Sequence, residues 1–433
     1  MQTRRGVLAC AVLAATLLAS AGCQSTPSSP SASKPSFGAS GDQSASQPAS
    51  KPAASGQAAP AAQAAGKPIK LGLATSLTGP GAGPGANQRI SSEIAVDELN
   101  AAGGINGSPV ELVQYDVGLA PDQGVLGARS LAEQGVVAMV GPITSGQWEV
   151  ANPILDQLQV VAINANATKP DITTSKWAFR MAATDTDMIE PGIRGFRQRF
   201  PNVRRVVIAG DVREATSEFT VHHAFPEELR KLGFEILDTL EYPTGQTDFS
   251  ALVTRMKGLN PEGVVTSSFM AEGLLLTREM ERQGVKVPAF VSAVLWAFPF
   301  INQAPGDFID GWVTVGYADS FARDKRPDQE RFIAEFDRRS EGNPNVPRPL
   351  SLSNLTIPYD VIKVVAEAAR RSGVNGDTPV QEARTKVRDT LPAAVKDHQG
   401  VFQKYYEFKP DQDVRMEVYP LYADGANKAW IRF

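Results

Sequence analysis

The hydrophobic and polar positions alternate between short apolar runs and longer segments of helical period. Ile69–Ala74 is an alternating strand. A helix follows from about Ala86 to Asn100, with Ile90, Ile94, Ala95, Val96 and Leu99 inward and Gly103-Gly104 as its stop. Val110–Tyr115 is the next strand, closed by Asp116, and Pro121–Gln134 the next helix. Val136–Val140 leaves no room for a polar face and predicts a strand buried on both sides. Gly141-Pro142 ends it. Thr144, Ser145 and Gly146 open a helix to about Leu158 whose apolar side carries Trp148, Ala151, Ile154, Leu155 and Leu158. Val160–Ile163 is another strand, and Asn164–Thr168 its exit loop. Repeated β–α units predict a parallel sheet with right-handed crossovers.

The pattern recurs further on. Val206–Ala209, Phe234–Tyr242, Gly263–Ser267, Ala289–Ala293 and Trp312–Val315 read as strands. Helices are predicted over Glu218–Leu232, from Thr247/Asp248 to Gly258, and over Glu272–Gln283, Pro327–Ser340 and Asn354–Ser372. Pro226 should kink the first of these or begin a new segment. From Pro68 onward the chain is too long for one ordinary core, so the expectation is α/β with two doubly wound parallel-sheet lobes.

The N-terminal stretch has no such period. Arg4 and Arg5 precede the apolar run Val7–Leu18, which has the length of a signal-peptide core and is too short for a membrane span. Ser20-Ala21-Gly22-Cys23 resembles a bacterial lipobox, which makes residues 1–22 a signal peptide and Cys23 the acylated residue. Residues 24–67 are Ser, Ala, Pro, Gly and Gln with Phe37 the one large apolar side chain, so residues 23–67 read as a lipidated cysteine and flexible tether. Its reach as a coil is roughly 35–40 Å. The expected location is extracytoplasmic, tied to a membrane by lipid.

Composition narrows the chemistry. The two cysteines of the chain are Cys10 and Cys23; removal of one and acylation of the other leave no disulfide, thiol nucleophile or Cys metal site. With 43 Lys+Arg against 47 Asp+Glu, the charge balance argues against a nucleic-acid surface. The basic group Arg194, Arg197, Arg199, Arg204 and Arg205 reads as a solvated helix face and loop. His222, His223 and His398 fit neither H-E-x-x-H spacing nor any other metal pattern, and no G-x-S-x-G elbow occurs. Gly81–Ala86 matches G-x-G-x-x-A in form. Its glycines, however, begin past the strand's end, Pro84 stiffens the loop, and the acid after the second strand comes late, at Asp116. Neither catalysis, a metal nor a cofactor is expected.

The loops Pro142–Gly146 and Asn164–Thr168 leave the carboxyl ends of neighbouring strands, where open α/β sheets bind ligands. Ser145 at a helix N-terminus offers a hydroxyl, free amides and a positive dipole end, and Thr168 a second hydroxyl. That suits a carboxylate or carbonyl. Ser and Thr before a helix are also ordinary N-caps, and the two roles are compatible.

The segments SLTGP, AVDELNAAGGINGSPVEL and YD within Ile69–Asp116, then GPITS and NATKPDIT, resemble the leucine/isoleucine/valine-type periplasmic binding proteins of ABC importers. The resemblance covers about Pro68 to Phe433 and weakens after Gly400. It implies a type I periplasmic-binding-protein fold with a three-strand hinge near Thr184–Gly192, Val315–Phe321 and Asp397–Phe402. The first lobe is then 68–187 plus 319–399, and the second 188–318 plus 400–433. It also implies a monomeric receptor that closes on a small organic ligand and hands it to a membrane permease; a sensor feeding a signalling partner is the alternative. The candidate ligand-binding set is Thr144, Ser145, Gln147, Trp148, Asn166, Ala167, Thr168, Glu214, Ser217, Phe269, Leu295 and Trp296. Relatives place an acid for the ligand's ammonium in the loop after the strand here read as Ala289–Ala293; this chain has Val294–Phe298 there, with no carboxylate. Glu214 is a displaced candidate. Trp148, Phe269 and Trp296 suit an apolar slot, and each is equally acceptable as a core residue. A ligand with a carboxylate or amide and an apolar body, rather than a zwitterion, is the expectation.

Overall fold

The structure is a computed structural model and describes residues 64–293, 300–316, 325–346 and 355–433. The expected signal peptide, Cys23, the expected tether up to residue 63, Leu295, Trp296 and most of the expected crossover at Val315–Phe321 lie outside the described residues.

Two sheets carry the fold. The first has the order β2-β1-β3-β4-β5, from β1 (Ile69–Thr75), β2 (Val110–Asp116), β3 (Ala138–Val140), β4 (Val161–Asn164) and β5 (Ala178–Arg180), all parallel. Around it pack α1 (Ala82–Ala101), α2 (Pro121–Glu133), α3 (Ser145–Leu158) and the helices Pro327–Ser340, Thr356–Arg371 and Val380–Val395. Val136–Val140 and Val160–Ile163 are buried throughout, as an all-parallel sheet covered on both faces requires.

α1 begins four residues before the expected start, because Gly79–Gly81 forms a 3₁₀ turn that leads straight into it. The glycines there serve packing: a Cβ on Gly85 would lie 1.5 Å from the Ser76 carbonyl oxygen. Asp116 fastens the preceding loop, accepting from the Leu77 amide at 2.9 Å and the Thr78 hydroxyl at 2.6 Å.

The second sheet has the order β14-β13-β10-β9-β8-β6-β7. It contains β6 (Arg205–Asp211), β7 (Glu235–Tyr242), β8 (Gly263–Ser267), β9 (Ala289–Val291) and β10 (Val313–Gly316), with β13 (Tyr419–Asp424) and β14 (Ala429–Arg432) added antiparallel at one edge. Its helices include α4 (Asp185–Arg199), α5 (Ala215–Phe219), α6 (Phe225–Lys231), α7 (Ser250–Leu259) and α8 (Met270–Gln283). The expected helix Glu218–Leu232 is split. A π-helical turn at Thr220–Ala224 separates α5 from α6, and Pro226 sits in the first turn of α6, where its missing N–H costs nothing.

The lobe boundaries differ from the expectation at two crossings. α4 already begins at Asp185 and packs on β9, β10 and β13, so the first crossing is complete by Thr184. The hairpin β11 (Tyr405–Phe408) and β12 (Val414–Met416) stays with the first lobe: Phe408 packs on Phe179, and Asp413 bridges Arg180 at the sheet edge. The return to the second lobe therefore comes after Met416 rather than at Asp397–Phe402. Asp360 ties the segment before the hairpin, accepting from the Val401 amide at 3.1 Å and the Tyr405 hydroxyl at 3.0 Å.

Candidate functional site

α3 and α5, which follow strands of the first and second sheets, meet one another. Thr144 is the N-cap of α3, in a capping box with Gln147: the Thr144 hydroxyl accepts from the Gln147 amide, and the Gln147 side-chain oxygen accepts from the Thr144 amide. The Gln147 amide group donates to the carbonyls of Val117 and Gly118 at 3.0 and 3.2 Å. Trp148 is fully buried, with its indole N–H on the Pro142 carbonyl at 2.7 Å. Thr144, Gln147 and Trp148 thus have partners inside the first lobe, and their role is to hold the loop that presents Ser145. Ser145 comes one residue after the cap, so its hydroxyl is free of capping. It lies 2.6 Å from the Thr216 hydroxyl on α5.

The second loop is shaped by Asn164, which the sequence reading passed over. Its side chain accepts from the amides of Asn166 and Ala167 and donates to the Ala167 carbonyl at 2.9 Å. Asn166 donates to the Ile143 carbonyl and so joins the two loops at 3.1 Å. Thr168 is half-buried, and its carbonyl accepts from the Asp185 amide at 2.7 Å.

From the second lobe come the acids. Glu214 is the N-cap of α5 and accepts from the Ser217 amide at 2.7 Å. Burial pushes its carboxyl up to about 7, and the charges of Asp185 and Asp211 add to that. Asp185, at the first turn of α4, is buried and accepts from the Thr220 hydroxyl. Burial raises it to about 6 against the pull of Thr220, Thr168 and Arg180. The Ser217 hydroxyl donates to the Ser267 carbonyl inside the second lobe at 2.7 Å. Phe269 is half-buried at the N-cap position of α8.

Of the expected residues, the structure brings Ser145, Thr168 and Glu214 together with Asp185, Thr216 and Thr220, which the sequence reading missed. Asp185 had one available signal: an acid in the first turn of a helix entered directly from a crossover. Behind it, the buried Arg180 pairs with Asp413 at 3.0 Å. Among the described residues, no group of three or more His, Cys, Asp or Glu side chains is placed to hold a metal ion, and no helix is long and apolar enough to cross a membrane.

The sequence pattern of the family described as periplasmic binding protein matches residues 68–427. The chain belongs to the periplasmic binding protein family. It is a binding protein rather than an enzyme. An amino acid binding protein of Pseudomonas aeruginosa is 30% identical over 207 residues, 44% of this chain and 51% of that protein. A Leu/Ile/Val-binding protein homolog of Brucella melitensis is 30% identical over 197 residues, 45% and 53%. The chain thus spans about half the length of these curated relatives. A leucine-, isoleucine-, valine-, threonine-, and alanine-binding protein of P. aeruginosa is 24% identical over 299 residues, 68% of this chain and 76% of the other. Among solved structures, the substrate binding protein LivJ of Streptococcus pneumoniae in complex with isoleucine aligns with TM-score 0.70 and 21% identity, covering 85% of this chain and 99% of that one. A solute binding protein of R. palustris in complex with 4-hydroxybenzoate aligns with TM-score 0.70 and 20% identity, covering 85% and 96%. Both confirm the fold of this periplasmic binding protein: two α/β lobes of the type I arrangement.

Proposed function

We propose that this protein is the lipid-anchored, extracytoplasmic solute receptor of an ABC importer, closing its two lobes on a small organic ligand. The observation that carries the reading is the pairing of unlike chemistry across the cleft. The first lobe contributes the α3 N-terminus with Ser145, suited to a carboxylate. The second contributes Asp185 and Glu214, suited to a cation. Relatives named for branched-chain amino acids, and structural neighbours holding isoleucine or 4-hydroxybenzoate, are consistent with a carboxylate-bearing ligand.

The expectation of a non-zwitterionic ligand rested on the missing acid after β9. Asp185 and Glu214 supply two carboxylates from other elements, and a ligand ammonium placed between them has the partner its burial demands. We therefore favour a small α-amino acid with an apolar side chain. Calorimetric titration with leucine, isoleucine, valine and 4-hydroxybenzoate tests this. Binding of an amino acid that is lost in Asp185→Asn supports the reading. Binding of 4-hydroxybenzoate alone, unaffected by that change, returns the site to a carboxylate with an apolar body.

A further inference from the structure

Exposed apolar surface is concentrated on one face of the first lobe. Among the described residues, the large apolar side chains that stand exposed are Leu119, Leu126, Val150, Val380 and Phe433, and the first three fall together on α2, α3 and the loop before α2. The two helices pack side by side. Their first turns touch: a Cβ on Gly124 would meet the Gln147 side chain at 2.8 Å, and one on Gly146 would lie 3.6 Å from the Pro121 ring. Val125 comes one turn after Pro121 and Val150 one turn after Gly146, so these two are neighbours as well. Leu126 follows Val125 onto the outer side of α2. Single exposed apolar residues need no explanation, whereas a strip that crosses two helices marks an interface.

The charges on either side of Leu126 say what covers it. Asp122, Leu126 and Arg129 stand at i, i+4 and i+7 of α2, on one stripe, and all three are exposed. The acid lies one turn before the leucine and the base one turn after it. Asp122 takes a long contact of 3.4 Å from the neighbouring Gln123 side chain, and neither it nor Arg129 has an ion-pair partner among the described residues. A stripe in that order is its own complement. Turned by half a rotation about an axis beside Leu126, a second α2 runs antiparallel to the first: Leu126 meets Leu126 and Val125, and Asp122 of each copy faces Arg129 of the other. Glu133, one turn beyond Arg129, then falls opposite the uncharged Gly118. A foreign partner would need this pattern supplied; a second copy of the chain already carries it.

We propose that the protein self-associates as a two-fold symmetric dimer through the outer face of α2, with Leu126 at its centre, Val150 beside it and two Asp122–Arg129 pairs closing it, in place of the monomer that the family resemblance implies. The apolar strip is short, so the association is weak and concentration-dependent. It uses elements of the first lobe alone and does not require the second lobe to hold one position.

The test is sedimentation equilibrium of the chain carrying Cys23→Ala, which removes the proposed acyl acceptor and touches no described residue. The expected mass rises from one chain to two with concentration, and Leu126→Asp holds the protein at the mass of one. Asp122→Arg and Arg129→Asp each set like charges opposite one another twice and weaken association by about tenfold or more. An equimolar mixture of these two variants regains it, because each supplies the charge that the other lacks. The mass of a single chain at every concentration overturns the proposal, and so does a dimer that Leu126→Asp leaves intact. A mixture that associates no better than its components overturns the antiparallel pairing on which the proposal rests. All three positions are exposed on the outer side of α2, so these outcomes do not depend on the cleft ligand.

Discussion

The hydroxyl oxygens of Ser145 and Thr216 lie 2.6 Å apart, one at the N-terminus of α3 in the first lobe and the other in α5 of the second. With Thr220 bonding Asp185 and the Thr168 carbonyl accepting the Asp185 amide, the contact closes the cleft wall from both sides. On the proposed function, a ligand carboxylate at the α3 N-terminus would compete with Thr216 for the same hydroxyl, coupling binding to lobe approach at Ser145.

Because Thr144 rather than Ser145 caps α3, the two neighbouring positions separate stability from binding. Thr144→Ala is expected to cost about 1 kcal/mol of stability through the lost cap. Ser145→Ala is expected to cost about 1–3 kcal/mol of ligand affinity with a smaller loss of stability. Urea denaturation and calorimetry on the two variants check this; a larger stability loss in Ser145→Ala contradicts the assignment.

Glu214 gives the protein a pH dependence of definite sign. Its carboxyl rises from an ordinary 4.5 to about 7 on folding, so its contribution favours the fold below about 4.5 and is lost as pH rises through 7. Glu214→Gln should remove this slope, gaining on the unsubstituted protein between pH 4.5 and 7. An ammonium ligand reverses the sign for binding, which tightens over the same interval. Parallel stability curves for the two proteins from pH 4.5 to 8 would falsify the assignment.

His398 acts in the opposite direction. Burial pushes it down to about 4 from 6.5, with Lys404 adding to the effect, and its ring stacks on Tyr405. The neutral form is favoured in the fold, so its contribution is present above 6.5 and is lost as pH falls toward 4. Replacement of His398 by Gln should flatten the acid limb of the stability curve in that window and leave neutral-pH stability little changed.

Arg180 and Asp413 are both buried, and the Thr173 hydroxyl donates to the same carboxylate at 2.7 Å. Arg180→Met strands that charge and is expected to cost about 3–5 kcal/mol, while Arg180→Met with Asp413→Leu recovers much of it. Equal stability of the single and double variants, measured by denaturation, excludes the pair as the reason Arg180 is held there.

The anchor is tested separately. Cys23→Ala removes the proposed acyl acceptor, and the mature protein should move from the membrane fraction to the soluble one. Retention in the membrane fraction rejects lipidation as the anchor.

Much of the architecture is legible in the one-dimensional pattern. The run Val136–Val140 has no polar face, and a strand buried on both faces in a parallel sheet is the arrangement that satisfies it. Helix punctuation by Gly103-Gly104, Gly284 and Pro226 is local backbone chemistry and needs no tertiary information. The place of Ser145 at the start of α3 was also visible, since position after a strand and before a helix is a sequence property.

The second half of the cleft was decided by tertiary structure. Asp185, Thr216 and Thr220 are unremarkable helix-start residues until two lobes fold against one another, and the rise of Asp185 and Glu214 comes from burial that no local window contains. The β11–β12 hairpin stays with the first lobe because Arg180 and Asp413 pair across 233 positions of chain, a partnership that neither residue's neighbours encode. Hydrophobic period is a short-range signal and fixes elements; charge pairing, burial and the meeting of two hydroxyls across a cleft are long-range, and exist only once the chain has been brought together.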